Sequence, residues 1–365
     1  MFRSTGSVIV FLSVISLFFS AGLDAADQDW KLVSEDLLST GGFDVCWQNK
    51  LPFREGEKLS QFYVVDDSLY ALSSENYMVS MNRISGGTFF NKQLEKAGIP
   101  IMKLRPFKND LYLIIGTELV ELARHSGDVK GSTRLGFGVS CPPSRNSGYF
   151  YVADTNRRLR YLRAKDKVKL FEIAATNESI ITSVTSEEKF VIFATAEGDV
   201  IKLSSSSRKS FWEFKASDGI IDPLTIRNGS VFFTSKDTNV YRVNLKTGLL
   251  VWKQHCGAIV KDSPKVTENT VYQFLGEDGL AAFDVESGKL LWKMAEVKEF
   301  LTEVDGKAFV MTKASRLAAI DNKAGEILYS INLADVKMTA TTTNDSYIYI
   351  ADEDGRVACI KPIVK

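Results

Sequence analysis

The stretch Ala282-Phe283-Asp284-Val285-Glu286-Ser287-Gly288-Lys289-Leu290-Leu291-Trp292 carries the organisation of the whole 365-residue chain. An apolar run ends at an Asp, a Gly follows four residues later, and a second apolar run ends on a Trp. Asp and Gly at these places make a tight hairpin turn, because Asp binds its own backbone and Gly accepts positive φ. Forty residues upstream the same reading recurs in Asn244, Gly248 and Trp252, and downstream in Asp321, Gly325 and Tyr329. Trp212, Trp252 and Trp292 are spaced by 40 and 40, and the slot they occupy is filled by Trp47, Phe90 and Phe171 earlier in the chain.

A second landmark keeps the same interval. Short β-like runs follow turn residues with their first apolar positions at 69, 111, 149, 190, 231, 271, 308 and 347, in steps of 42, 38, 41, 41, 40, 37 and 39. A strand-rich repeat of about 40 residues is the size of one four-stranded propeller blade. The sequence therefore predicts an all-β, eight-bladed propeller of antiparallel blades. The eighth repeat runs out after the strand at 356–360 without an aromatic slot, while Phe43-Asp44-Val45-Cys46-Trp47 supplies one at the other end. The N-terminal strand is expected to complete the last blade, which removes the open edges of a blade array.

The remaining organisation follows from the N-terminus. One Arg at position 3 precedes a 12-residue apolar run at 8–19 and small residues near Gly22 and Ala25, the layout of a cleaved export signal. The run is shorter than the roughly 20 residues that span a bilayer as a helix. The domains expected are a signal peptide at 1–25, a lead segment at 26–42 and the propeller at 43–365. No Cys lies near the cleavage region, which argues against an acyl-lipid anchor on a mature N-terminal Cys.

The chain has 45 basic and 45 acidic residues, two His and four Cys. Charge parity excludes a body built around nucleic acid, which needs a clustered basic excess. With two His and no CxxC, zinc sites and His-dependent triads have little material. One local asymmetry stands out. Arg157, Arg158, Arg160, Arg163, Lys165, Lys167 and Lys169 face a single acid, Asp166, within the third repeat. This is the candidate partner patch, suited to an acidic protein or anionic head groups; the plainer reading is a solvated outer strand whose charges discourage edge pairing. Turn acids at Asp66-Asp67, Glu187-Glu188 and Asp352-Glu353-Asp354 read as local backbone acceptors, and the last lacks the spacing of a calcium loop.

The motif of Ala282 to Trp292 resembles the tryptophan-docking repeat of the pyrroloquinoline-quinone (PQQ)-like propellers, A-x-D-x-x-T-G-K-x-x-W. The copies at Asn244-Gly248-Trp252 and Asp321-Gly325-Tyr329 are similar, and the other repeats are degenerate. The resemblance implies a structural role for the slot aromatics Trp47, Phe90, Phe171, Trp212, Trp252, Trp292 and Tyr329, each packing flat on the next blade. The turn residues Asn244, Asp284, Asp321, Gly248, Gly288 and Gly325 make the surface they pack on. Quinoprotein enzymes of this family use two adjacent cysteines against the quinone and a calcium held by Glu, Asn and Asp. This sequence has no Cys-Cys pair and no inserted loops, so no cofactor and no catalysis are expected.

Within the family the chain looks BamB-like, a non-catalytic exported scaffold of the cell envelope whose partners are proteins, including outer-membrane assembly components. The alternatives are a PQQ-dependent enzyme or cofactor binder, and a ligand- or glycan-sensing propeller. Four cysteines allow three pairings. If the residue before the slot aromatic pairs with the motif Ala, Cys46 faces Ala358 and Cys359 points to the other side, leaving both thiols free; only a register slip at the seam would bring them together.

Overall fold

The computed structural model describes residues 30–258, 260 and 262–363. The expected signal peptide at 1–25 lies outside them, as does the start of the lead segment. Among the described residues the chain forms eight four-stranded antiparallel sheets. Seven are consecutive in sequence. Blade 1 runs from Leu59–Val65 to Thr88–Gln93, blade 2 from Arg105–Phe107 to Val129–Arg134, and blade 3 from Ser144–Arg145 to Lys169–Ala174. Blade 4 spans Ile181–Ser186 to Ser210–Lys215, blade 5 Thr225–Arg227 to Leu250–His255, blade 6 Lys265–Val266 to Leu290–Met294, and blade 7 Val297–Val304 to Glu326–Asn332.

Blade 8 takes three strands from the C-terminus, Met338–Thr341, Ile348–Ala351 and Arg356–Pro362, and its outer strand from the N-terminus, Phe43–Lys50. The ring is closed by this pairing, with Phe43 opposite Pro362 and Lys50 opposite Arg356. The lead segment is fastened to the same place. Gln48 accepts from the backbone N–H groups of Leu32 and Val33 and donates to the Val33 carbonyl. Helix α1 (Glu35–Thr40), capped by Ser34, buries Leu38 against blades 7 and 8.

The second strand of every blade is almost wholly buried, which is why its run of apolar residues sets the 40-residue interval. First strands of neighbouring blades touch around the axis, whereas fourth strands form the rim. The core is divided accordingly. Eight apolar clusters each lie between two adjacent blades, so every blade is held by its two neighbours rather than by a common centre.

The pairing of the outer strand corrects one expectation. In the intact motif it is Trp292 itself that pairs with Ala282, while Phe283 pairs with Leu290, so Leu291 is the extra residue of a β-bulge. The same bulge sits immediately before the slot residue in every blade. In blade 8 the partners are Trp47 with Cys359 and Val45 with Ile360, leaving Cys46 in the bulge rather than opposite Ala358. A bulge turns the alternating sides of a strand out of phase, which a period-two reading of the sequence does not register.

Candidate interaction surface

The slot residues sit at one end of each outer strand and meet the hairpin between the third and fourth strands of the next blade. Four indoles make the same contact. The Nε1 of Trp47, Trp212 and Trp252 donates to the carbonyls of Arg83, Leu245 and Val285 at 3.0, 3.0 and 2.9 Å. That of Trp292 donates to Asn322 Oδ1 at 3.0 Å. Each acceptor follows the turn Asn or Asp by one residue.

The turn itself explains the residue types. Asn244 Oδ1 accepts from the N–H groups of Lys246 and Thr247, and Asp321 Oδ1 from those of Lys323 and Ala324. Asp284 accepts from the Ser287 hydroxyl at 2.6 Å and its N–H at 2.8 Å, which holds its carboxyl below the usual range. Gly288 adopts φ +71°, and a Cβ there would fall 2.7 Å from the Trp252 ring. Gly248 and Gly325 stand in the same relation to Trp212 and Trp292. Tyr329 has no such partner; its ring lies beside Gly42 at the start of the closing strand. Phe90 lies against Gly127. Phe171 stacks on Tyr161, with the Arg208 guanidinium 5.6 Å from its centre.

Between blades 2 and 3 the aromatic is missing and Gly131 occupies its slot. The space is used by Glu121, whose carboxylate bonds Arg145 at 2.8 Å and also Lys167. Arg145 lies 4.6 Å from both the Phe107 and Phe150 rings. Lys167 takes the turn position that Gly248, Gly288 and Gly325 hold in blades 5, 6 and 7, at φ +57°.

The seven-residue basic run is not one patch. Arg157 and Arg158 lie at the turn before the third strand of blade 3, beside a cavity of about 390 Å³ shared with Asn156 and Glu178. Arg163, Lys165, Lys167 and Lys169 lie at the opposite end of that strand. Six of the seven have acidic partners. Arg157 pairs with Glu178, Arg158 with Glu172, Arg160 with buried Asp154, Arg163 with Asp166, Lys167 with Glu121, and Lys169 with Glu172. Four of these acids come from outside the run, so a linear count missed them.

What remains exposed around Lys165 is a mixed surface. Val168 and Leu170 of blade 3 are exposed, and so is Phe211 of blade 4. Arg208, over Phe171, links the two blades, and the ammonium groups of Lys202 and Lys209 each lie 5.8 Å from the Phe211 ring. Exposed apolar and aromatic side chains beside an Arg are the residue types enriched at protein interfaces, whereas lysines are depleted in their cores and belong at a rim. Period and charge counting overlooked Val168, Leu170 and Phe211; their signal was apolar residues in the turn before, or at the start of, an outer strand.

The axial channel offers different chemistry. A cavity of about 840 Å³ is lined by Lys103, Asp262, Lys265, Lys298, Glu299 and a run of Thr at 341–343. Confinement, and the nearby cations Arg105 and Lys265, hold the Lys103 ammonium below its ordinary pKa. Asp222 is pushed up to about 6 by burial and by Asp262. The quinone for which the repeat is named does not fit here: Cys141 and Cys256 are separately buried in the third and sixth repeats, with no vicinal pair on the channel. The turn acids are engaged locally, Asp66 and Asp67 with Arg124, Asp352 with Arg356, and Asp354 with Lys58 at 2.5 Å.

A family model described as outer membrane protein assembly factor BamB matches residues 179–294 and 236–363, together just over half of the chain. The chain belongs to the BamB family of PQQ-like propellers. The BamB of Yersinia pestis is 21% identical over 243 residues, covering 61% of this chain and 60% of that protein. That of Moranella endobia is 25% identical over 244 residues, 61% of each. The chain thus spans about three fifths of the length of these BamB relatives. The crystal structure of BamB from Moraxella catarrhalis superposes with a TM-score of 0.65 over 87% of this chain and 99% of that one, at 13% identity. A computationally designed protein, Ika8, reaches the same score at 10% identity over 86% and 98%. At such identities the likeness is one of fold, and it extends to a designed protein.

Proposed function

We propose that this BamB-family chain is a non-catalytic, exported scaffold that binds protein partners of outer-membrane assembly in the cell envelope. The observation that carries the reading is the exposed surface of Lys165, Val168, Lys169, Leu170, Arg208 and Phe211 on blades 3 and 4. Its support is compositional: apolar anchors lie on a rigid rim, and long cations around them can steer an acidic partner. The names of the relatives, outer membrane protein assembly factors, support this choice of compartment and class of partner. The narrower basic patch of Arg157, Arg158, Arg160, Arg163, Lys165, Lys167 and Lys169 is kept only at its Lys165 end, since the remainder is engaged within the blade.

A photo-crosslinking residue at Leu170, followed by mass spectrometry of envelope fractions, tests this. Capture of an outer-membrane assembly component is expected, with several-fold less capture when Lys165 and Lys169 are both changed to Glu. Recovery of none would overturn the reading.

A further inference from the structure

The ring is closed by a single strand pairing, and one cysteine lies on each side of it. Cys359 is in the third strand of blade 8 and fully buried; Cys46 is in the closing strand and exposed. In an unbroken ladder two such residues would face opposite sides of the sheet. The bulge between Val45 and Trp47 changes this, because Trp47 takes the place opposite Cys359 and Cys46 is the inserted residue beside it. Trp47 and Cys359 pack into the same cluster between blades 8 and 1, so the bulge brings Cys46 toward the face that Cys359 occupies.

Two further observations agree. The two thiols are also near enough for each to influence the other's proton affinity, beside burial, which pushes both up. In blade 4, where the same bulge carries Phe211, the inserted side chain also approaches the residue opposite the slot, Lys202. Cys141 and Cys256 have no such neighbour and sit in clusters of their own.

We infer that Cys46 and Cys359 form a disulfide that clasps the two ends of the ring once the closing strand has docked. The inference rests on the exported reading above, because a cytosolic thiol pool keeps such pairs reduced. The oxidant is a disulfide donor of the envelope, either a protein thiol–disulfide oxidoreductase or a small-molecule disulfide. Cys46 reacts first because it is the exposed thiol. Its thiolate attacks the donor disulfide, forming a mixed disulfide and releasing one donor thiolate. Cys359 then loses its proton and attacks the Cys46 sulfur, expelling the second donor thiolate. Two protein thiols are oxidised to one disulfide, and the donor disulfide is reduced to two thiols.

The test uses the mature protein purified under reducing conditions and then exposed to oxidised glutathione. Expected are a loss of about 2 Da in the intact mass, alkylation of only Cys141 and Cys256 after unfolding, and a rise in Tm of about 5 °C or more. Cys46→Ser lies at an exposed position and should abolish all three changes without altering the Tm of the reduced protein. A stable glutathione adduct on Cys46 with Cys359 still free, or a Cys46-linked dimer, would overturn the clasp. Acid-quenched alkylation of cells separates the two readings. A disulfide in both settings supports the clasp and its compartment, whereas a disulfide in vitro with a reduced pair in cells supports the geometry and overturns the exported setting.

Discussion

The interface between blades 5 and 6 and that between blades 2 and 3 solve one problem by opposite means. At the first, Trp252 lies on Gly288, its indole donates to Val285, and the cluster behind it holds eleven buried residues among those described. At the second there is no ring. Gly131 leaves room for Glu121 to join Arg145 and Lys167, over a cluster of only seven buried residues. An indole slot is apolar and tolerant of salt, and its close approach demands a Gly opposite, as Gly86, Gly248, Gly288 and Gly325 show. An ion triad frees that position, which is how a Lys comes to stand there, but a buried charge becomes dependent on its partners.

The strongest way to break this contrast is Trp252→Ala. It should cost about 3–5 kcal/mol, measured by urea unfolding, with no change when salt is raised. Glu121→Ala strands two enclosed cations and should cost about 3 kcal/mol. Here the signature is recovery when Lys167 is changed to Met in the same chain, which a purely steric effect would not give. Gly288→Ala sets a Cβ at positive φ against the Trp252 ring and should cost about 2 kcal/mol. Lys167→Gly, at the equivalent turn position, should cost about 1 kcal/mol or less, because relief of the backbone offsets the lost ion pair. If the two glycine–side-chain swaps cost the same, the contrast between the interfaces is wrong.

The smallest effect concerns the inner end of the regular blades. Asp222 is pushed up to about 6, above its ordinary carboxyl value. A raised carboxyl binds its proton more tightly in the folded state, so stability is greatest below the unfolded pKa and is lost as pH rises toward 6. Asp222→Asn should therefore flatten a decline of less than about 1 kcal/mol between pH 4 and 6, the value discounted for the half-exposed position. Thermal unfolding of both proteins across that range measures it, and parallel curves would count against it.

Most of the fold could be read from the chain. The second strands announce the repeat because burial on both faces leaves an unbroken apolar run, as at 190–194 and 231–233. The slot aromatics fix the phase, and Trp47 exposed the ring closure. Two things were not legible. The bulge adds one residue without a compositional mark, so the seam register differs from the expected one: Ala358 faces Gln48, two residues past Cys46. The basic run looked unopposed because Glu121, Asp154, Glu172 and Glu178 reach it from neighbouring strands and turns. The mixed surface on blades 3 and 4 was hidden for the same reason: adjacency across blades joins residues about 40 positions apart.

The closing strand also imposes a schedule. Phe43 pairs with Pro362, more than three hundred residues later, so the strand made first is the last to find its place. Seven blades can assemble outward from the N-terminus as the chain appears, each resting on the one before. Phe43 must meanwhile stay unpaired, Trp47 has only its contact with blade 1 at Arg83, and α1 has no wall to bury Leu38 against until blades 7 and 8 exist. Completion of the ring thus reports that the last blade has been made, and loss of the final strand would leave a stack of blades with two raw ends instead of a closed wheel.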